Sequence, residues 1–137
     1  MTKQAVHKLV PSLKSCRRLA EYGVELDTYF GWFQRPDGEW SVRIKGYEEW
    51  EGNELVPAPT ASTLLEVLPN SFNHKKQGNY FDLSITKVDT ERYSVEYNSP
   101  VWLNRAHSFG DTPAQAIINL LLSLLEEEVI GVEDLEV

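Results

Sequence analysis

The pattern of apolar and polar positions is clearest between residues 111 and 128, where it predicts the longest helix of the chain. Thr112 can cap this helix with its hydroxyl, and Pro113 suits the first helical position because its missing N–H costs nothing there. Gln115 follows Thr112 at the spacing of a capping box. The apolar residues after it spread over more than one helical face, so we expect the helix to be covered on more than one side. They are Ile117, Ile118, Leu120, Leu121, Leu122, Leu124 and Leu125.

Two shorter helices precede it. Ser12 is a start signal and Gly23 a stop signal for a helix whose apolar face comprises Leu13, Cys16, Leu19 and Ala20. Thr60 and Pro69 bound a second helix, which Leu64, Leu65, Val67 and Leu68 would bury.

Between the helices, the pattern predicts two β-hairpins. The first joins residues 28–34 to the alternating segment 39–44 through the turn Arg35-Pro36-Asp37-Gly38. Its first strand has large apolar residues on both faces, so we expect cover on both, from helices, a loop or another chain. The second hairpin pairs 81–86 with 93–98 across a turn at 88–91. We interpret 46–59 as a connection without a strand, and 101–109 as a short strand or an extended crossing segment.

The order α-ββ-α-ββ-α predicts an α+β fold, with an antiparallel sheet built from the two β-hairpins and three helices packed mainly on one face. The length suits a single domain over residues 1–137, with 1–11 and 131–137 as loose termini.

Charge and composition narrow the class of protein. The net charge is −8, and residues 46–137 hold sixteen of the 21 acidic residues but five of the 13 basic ones. Such a field repels phosphate backbones, so we expect no direct binding of nucleic acid. No apolar run is long enough for a membrane span, and the N-terminus lacks the apolar core of a secretory signal. A single cysteine, Cys16, fits a reducing compartment, so the prediction is a cytoplasmic protein.

Catalytic and metal-binding motifs are not found in the sequence. There is no glycine-rich phosphate loop and no nucleophile elbow. One cysteine and three scattered histidines do not offer the spacing of a zinc site, so we predict no metal, no cofactor and no enzymatic activity. His107, beside Arg105 and before Asp111, is the histidine to follow, and we interpret it as closing a loop. Asp82 and Glu96 are interpreted as solvated carboxylates.

The aromatic residues indicate a binding surface instead. Trp and Tyr are enriched at the energetic centres of protein interfaces, and the first hairpin and the segment after it are rich in both. The candidate interface comprises Tyr29, Trp32, Phe33, Trp40, Tyr47 and Trp50. The strand over 28–34 is also a candidate for homodimerisation. A candidate acidic patch comprises Glu126, Glu127, Glu128, Glu133, Asp134 and Glu136.

The sequence carries two resemblances. PSLKSCRRLAEYGVELDTYFGWFQRPDGEW, VPAPTASTLLEVLP and FGDTPAQAIINLLLSLLEE together resemble a group of small uncharacterised phage and prophage proteins. That resemblance implies no activity and no site residues. The segment GDTPAQA over 110–116, after an antiparallel strand pair, is similar to the strand-to-helix junction of HicB-like antitoxin domains.

Three hypotheses on function follow. The first is a non-enzymatic intracellular domain of phage or mobile-element type that binds a protein partner through the aromatic hairpin. The second is an acidic mimic of nucleic acid that occupies the binding groove of a host protein. The third is a small enzyme or ligand-binding domain that uses the 46–59 loop and His107. A HicB-like antitoxin is a further alternative.

Overall fold

The computed structural model describes residues 6–44, 55–69, 82–98 and 106–135. Within these ranges the fold is α+β, as predicted, with three helices and two three-stranded antiparallel sheets. The elements are α1 Leu13–Glu21, β1 Phe30–Gln34, β2 Trp40–Ile44, β3 Leu55–Ala58, α2 Ala61–Val67, β4 Asp82–Asp89, β5 Arg92–Asn98, β6 Ala106–Gly110 and α3 Pro113–Glu126, followed by a 3-10 turn at Val132–Asp134.

The first sheet has the order β2-β1-β3. β1 and β2 form the predicted hairpin, with Trp32 opposite Val42, and β1 also pairs with β3, where Trp32 lies opposite Val56. The prediction of a strandless connection over 46–59 is therefore wrong for β3. Pro57 obscured this strand, because proline lacks the N–H that a ladder needs; it is tolerated because β3 is an edge strand.

The second sheet has the order β4-β5-β6. β4 and β5 form the second predicted hairpin, with a bulge between Lys87 and Asp89 next to the turn. The segment predicted as a short strand or a crossing segment pairs with β5 as β6, which places Phe109 opposite Ser94. The two hairpins thus belong to separate sheets rather than to one, and each sheet takes a third strand.

The helices lie between the two sheets. α1 packs against the first sheet, while α3 packs against β5, β6, α1 and α2. The cap residues act as predicted: Thr112 Oγ1 accepts the N–H of Gln115 at 3.2 Å, and Thr60 Oγ1 accepts that of Thr63 at 3.3 Å. The prediction that the longest helix is covered on more than one side is confirmed. Nine residues of α3 are buried: Ala114, Ala116, Ile117, Ile118, Leu120, Leu121, Leu122, Leu124 and Leu125.

Both chain ends pack against the core where they are described. Val10 is 3% exposed and lies in the cluster beneath the first sheet, and Leu135 is 7% exposed and lies in the cluster around α3. In these ends, which were predicted to be loose, Val10 and Leu135 are therefore packed against the core. Residues 1–5 and 136–137 lie outside the described residues.

Candidate functional site

The predicted interface has six aromatic residues, and the four that the structure describes differ in how much of their side chain is exposed. Phe33 is 6% exposed, so it is unavailable to a partner. Trp32 is half-buried and its Nε1–H donates to Pro11 O at 3.1 Å. Trp40 is also half-buried, with the Arg17 guanidinium 4.6 Å from its ring centroid. Tyr29 remains accessible at 65% exposure. The other two predicted residues, Tyr47 and Trp50, lie outside the described residues.

Strand β1 also lacks the free edge that strand-to-strand dimerisation needs. It is the central strand of its sheet and pairs with β2 on one side and β3 on the other. Homodimerisation by backbone pairing at residues 30–34 is thereby ruled out, because these ladder bonds are made within the chain. Dimerisation by another surface stays a prediction.

The acidic patch lies at the C-terminal end of α3 and in the turn after it. Glu127, Glu128 and Glu133 are exposed. Glu126 forms an ion pair with Arg18, and Asp134 Oδ2 accepts the N–H of Gly131 at 2.8 Å. Glu136 lies outside the described residues. The structure thus brings five of the six predicted acids to one end of the molecule, and two of these have a local partner.

His107 lies on the face of the second sheet that points away from α3. The strand register places it opposite Glu96, which in turn lies opposite Ser84, whereas Asp82 lies opposite Asn98. Asp82 and Glu96 are therefore not directly opposite each other. Strands lie about 4.8 Å apart, so Ser84 and His107 are separated by roughly 10 Å across this row. That spacing is too long for a histidine to take a proton from a serine directly.

Exposed apolar side chains lie near the turn between β4 and β5 on both faces of the second sheet: Ile85 is opposite the buried Val95 on the α3 side, whereas Phe109 is opposite Ser94 on the other side. Ile85 is 40% exposed, Val88 51% and Phe109 39%, and the Arg92 guanidinium lies 4.3 Å from the Phe109 ring centroid. We call these four residues the hairpin-tip surface. Sequence reasoning missed it, because alternation assigned Ile85 to the core and gave no register for Phe109. Ile85 is exposed since α3 packs mainly over β5 and β6.

The edge strands of the two sheets differ in the features that protect them against pairing with another strand. At the first sheet, the N–H of Val42 in β2 donates to His7 Nε2 at 3.4 Å, and β3 carries Pro57. Both features blunt an edge against pairing with another strand. In the second sheet, β4 is an eight-residue edge strand without proline, and within the described part of the chain it pairs with β5 alone. Strand β4 is therefore the longest edge that the described residues offer to another strand, and its pairing is regular from Asp82 to Lys87, before the bulge.

A cleft of about 350 Å³ lies where the N-terminal segment, β1 and the start of α3 meet. We call it the N-terminal cleft. Its lining combines apolar and polar residues, which are His7, Lys8, Val10, Pro11, Ser12, Trp32, Asp111, Thr112 and Gln115.

Cys16 is an inert core residue. It is 2% exposed, and burial raises the pKa of its thiol to about 12, so the nucleophilic thiolate does not form near neutral pH. Among the described residues, no three His, Cys, Asp or Glu side chains are grouped in a way that could hold a metal ion. The helices in those same ranges include none with the length and apolar composition to cross a membrane.

Comparison of the chain with known protein families, curated proteins and solved structures gave no match. The resemblances to phage proteins and to HicB-like domains stay predictions.

Proposed function

We propose that this chain is a protein-binding domain that contacts its partner through β4 and the hairpin-tip surface. The observation that carries the proposal is the coincidence of a proline-free edge strand, regularly paired from Asp82 to Lys87, with exposed apolar side chains, Ile85 and Val88, on that same strand. Edge strands of this kind are normally protected in proteins, as both edges of the first sheet are here.

Binding would proceed by strand addition. A partner segment in extended conformation pairs its backbone with the outer edge of β4, and these main-chain hydrogen bonds supply affinity whatever the partner's sequence. Specificity comes from the side chains: Ile85 and Val88 are apolar anchors, and Arg92 held over Phe109 adds an arginine and an aromatic ring, both of which are enriched in interface hot spots.

The experiment is affinity capture from a plausible host lysate with three tagged chains: the natural sequence, Ile85→Lys with Val88→Lys, and Tyr29→Lys. All three changes replace exposed side chains, so each protein is expected to fold. Tyr29 is the matched control, because it is the most accessible of the described residues of the predicted aromatic interface and lies just before β1 of the first sheet.

We expect a partner that is retained through a high-salt wash by the natural chain and by Tyr29→Lys, and lost from the double variant. Retention must survive salt because the proposed contact rests on apolar burial and backbone pairing rather than on surface charge. A partner lost from Tyr29→Lys and kept by the double variant would move the interface to the first hairpin and contradict this proposal.

A second candidate is the acidic mimic of nucleic acid. It is favoured by five exposed acidic residues at the C-terminal end of α3 and in the turn after it, which are Glu126, Glu127, Glu128, Glu133 and Asp134. Binding by this route should disappear at high salt. It should also be abolished in a chain with neutral residues at Glu126, Glu127, Glu128, Glu133, Asp134 and Glu136, and unchanged binding by that variant would reject the mimic.

A further inference from the structure

The walls of the N-terminal cleft are held in place by internal hydrogen bonds. Trp32 Nε1–H donates to Pro11 O, and the N–H of Ser12 donates to Gln115 Oε1 at 2.8 Å. His7 accepts the Val42 N–H, and its ring packs against Trp32 with centroids 5.2 Å apart. A site whose walls are fixed before binding loses little conformational freedom when a ligand enters.

These bonds also determine which polar groups remain for a ligand. Because His7 Nε2 accepts from Val42, the neutral imidazole carries its proton on Nδ1, which remains a donor. Thr112 accepts the helix-capping bond and keeps its hydroxyl proton to donate. Lys8 and Asp111 are exposed, and neither forms an ion pair within the described ranges. The cleft thus offers three donors, one of them an ammonium, and one carboxylate.

The floor of the cleft is apolar. Val10, Pro11 and the indole of Trp32 contribute to its lining, and its volume of about 350 Å³ falls within the range of roughly 300–1,000 Å³ that small-molecule sites occupy. The N-terminus of α3, a helix of 14 residues, begins at the same place and adds a positive field near Thr112. A ligand that satisfies all of these groups must carry an anionic group, a cationic group and an apolar body.

We propose that the N-terminal cleft binds a free α-amino acid with an apolar side chain. The carboxylate of the ligand accepts from Lys8, His7 Nδ1–H and the Thr112 hydroxyl, and its ammonium group donates to Asp111. The side chain of the ligand packs on Trp32 and its apolar neighbours. The site lies on different elements from the hairpin-tip surface, so it is independent of the proposed binding of a protein partner.

The test is calorimetric titration of the full chain with L-phenylalanine and L-leucine. Two comparison ligands each lack one charge: 3-phenylpropanoate has no ammonium group, and phenethylamine has no carboxylate. We expect saturable binding of the amino acids with a dissociation constant on the order of 1 mM, as suits so small a ligand. Both comparison ligands should bind about tenfold more weakly, because one charged group of the cleft then has no partner.

Substitutions at cleft residues test whether the amino acid binds in the N-terminal cleft. Asp111→Asn and Lys8→Gln should each weaken binding of L-phenylalanine about tenfold. The controls Asp27→Asn and Lys14→Gln neutralise exposed residues elsewhere and should leave it unchanged. Circular dichroism checks that each variant is folded, and two variants with changes at different segments keep the test decisive if one of them fails to fold. The proposal is overturned if neither amino acid saturates at 20-fold above the expected constant, if 3-phenylpropanoate binds as tightly as L-phenylalanine, or if folded variants bind normally.

Discussion

The side chain of Gln115 joins two segments that are 103 residues apart in sequence, because its Oε1 accepts the N–H of Ser12 at 2.8 Å. Its Nε2 donates to Ser15 Oγ and to Asn119 Oδ1, both at 2.9 Å. One amide therefore connects the first turn of α1 to α3. The capping-box spacing predicted a local role for Gln115, but its side chain is used for tertiary contact while only its backbone N–H reaches Thr112.

Gln115→Ala should lower the free energy of unfolding by about 0.5–1.5 kcal/mol, because the Ser12 N–H loses its partner and Ser15 Oγ loses one of its two. The control is Gln34→Ala, since the side-chain bond of Gln34 to Gly38 O is exposed and 3.4 Å long. It should cost less than about 0.5 kcal/mol. Urea denaturation measures both. Equal losses in the two variants would mean that the connection between α1 and α3 contributes no stability.

Local chemistry was enough to predict much of the fold. Thr112 and Thr60 start their helices as their side chains require, and the turn at 35–38 closes the first hairpin. The sequence alone did not show which strands pair when they are far apart in the chain. Strand β3 was missed because Pro57 breaks the local strand pattern, and its four residues extend only because β1 offers them a partner.

The candidate surfaces depended on the same long-range information. Alternation along β1 shows that Phe33 and Trp32 point to opposite faces, but the degree to which each face is covered depends on the packing of the whole chain. Ile85 has the pattern of a core residue and is nevertheless 40% exposed. The N-terminal cleft needs His7, Trp32 and Asp111 together, and no spacing in the sequence brings these three residues into one place.

Gly110 is required by the close approach of β6 to α3. A Cβ atom at this position would lie 2.8 Å from Ala116 Cα and nearer still to Ala116 N, and these backbone atoms cannot move aside as a side chain can. Gly110→Ala should therefore destabilise the chain by about 2–3 kcal/mol. Gly38→Ala is the comparison: there is open space around it, but its φ of +92° makes alanine strained, so a loss of about 1–2 kcal/mol is expected. Urea denaturation measures the loss of stability in both variants. A smaller loss for Gly110→Ala than for Gly38→Ala would contradict the close approach of β6 to α3.

Cys16 makes the chain sensitive to alkaline pH. Burial raises its pKa from 9.0 to about 12, so above pH 9 the unfolded chain loses a proton that the folded chain keeps. The contribution of Cys16 to stability is therefore complete below pH 9 and falls as the pH rises from 9 towards 12, by roughly 1.4 kcal/mol at pH 10.

Cys16→Ala should lack this part of the alkaline loss, although it is less stable at pH 7 because a buried side chain has been shortened. The measurement is urea denaturation of both proteins at pH 7, 9 and 10. In addition, iodoacetamide at pH 8 should label the natural chain in urea and not in its absence. A slope with pH that is identical in the two proteins would show that the thiol ionises as readily folded as unfolded.

Glu128 ends α3 in a left-handed conformation, with φ +56°. Its N–H donates to Leu125 O at 3.2 Å, and the next N–H, of Val129, reaches back to Leu124 O at 3.0 Å. At this position glycine avoids the contact between Cβ and the backbone, so Glu128→Gly should raise the free energy of unfolding by about 0.5–1 kcal/mol. Glu127→Gly is the control, because Glu127 has φ −84° and glycine there should destabilise or change nothing. If Glu128→Gly were less stable than the natural chain, the glutamate side chain would have to stabilise this helix end by more than its backbone strain costs.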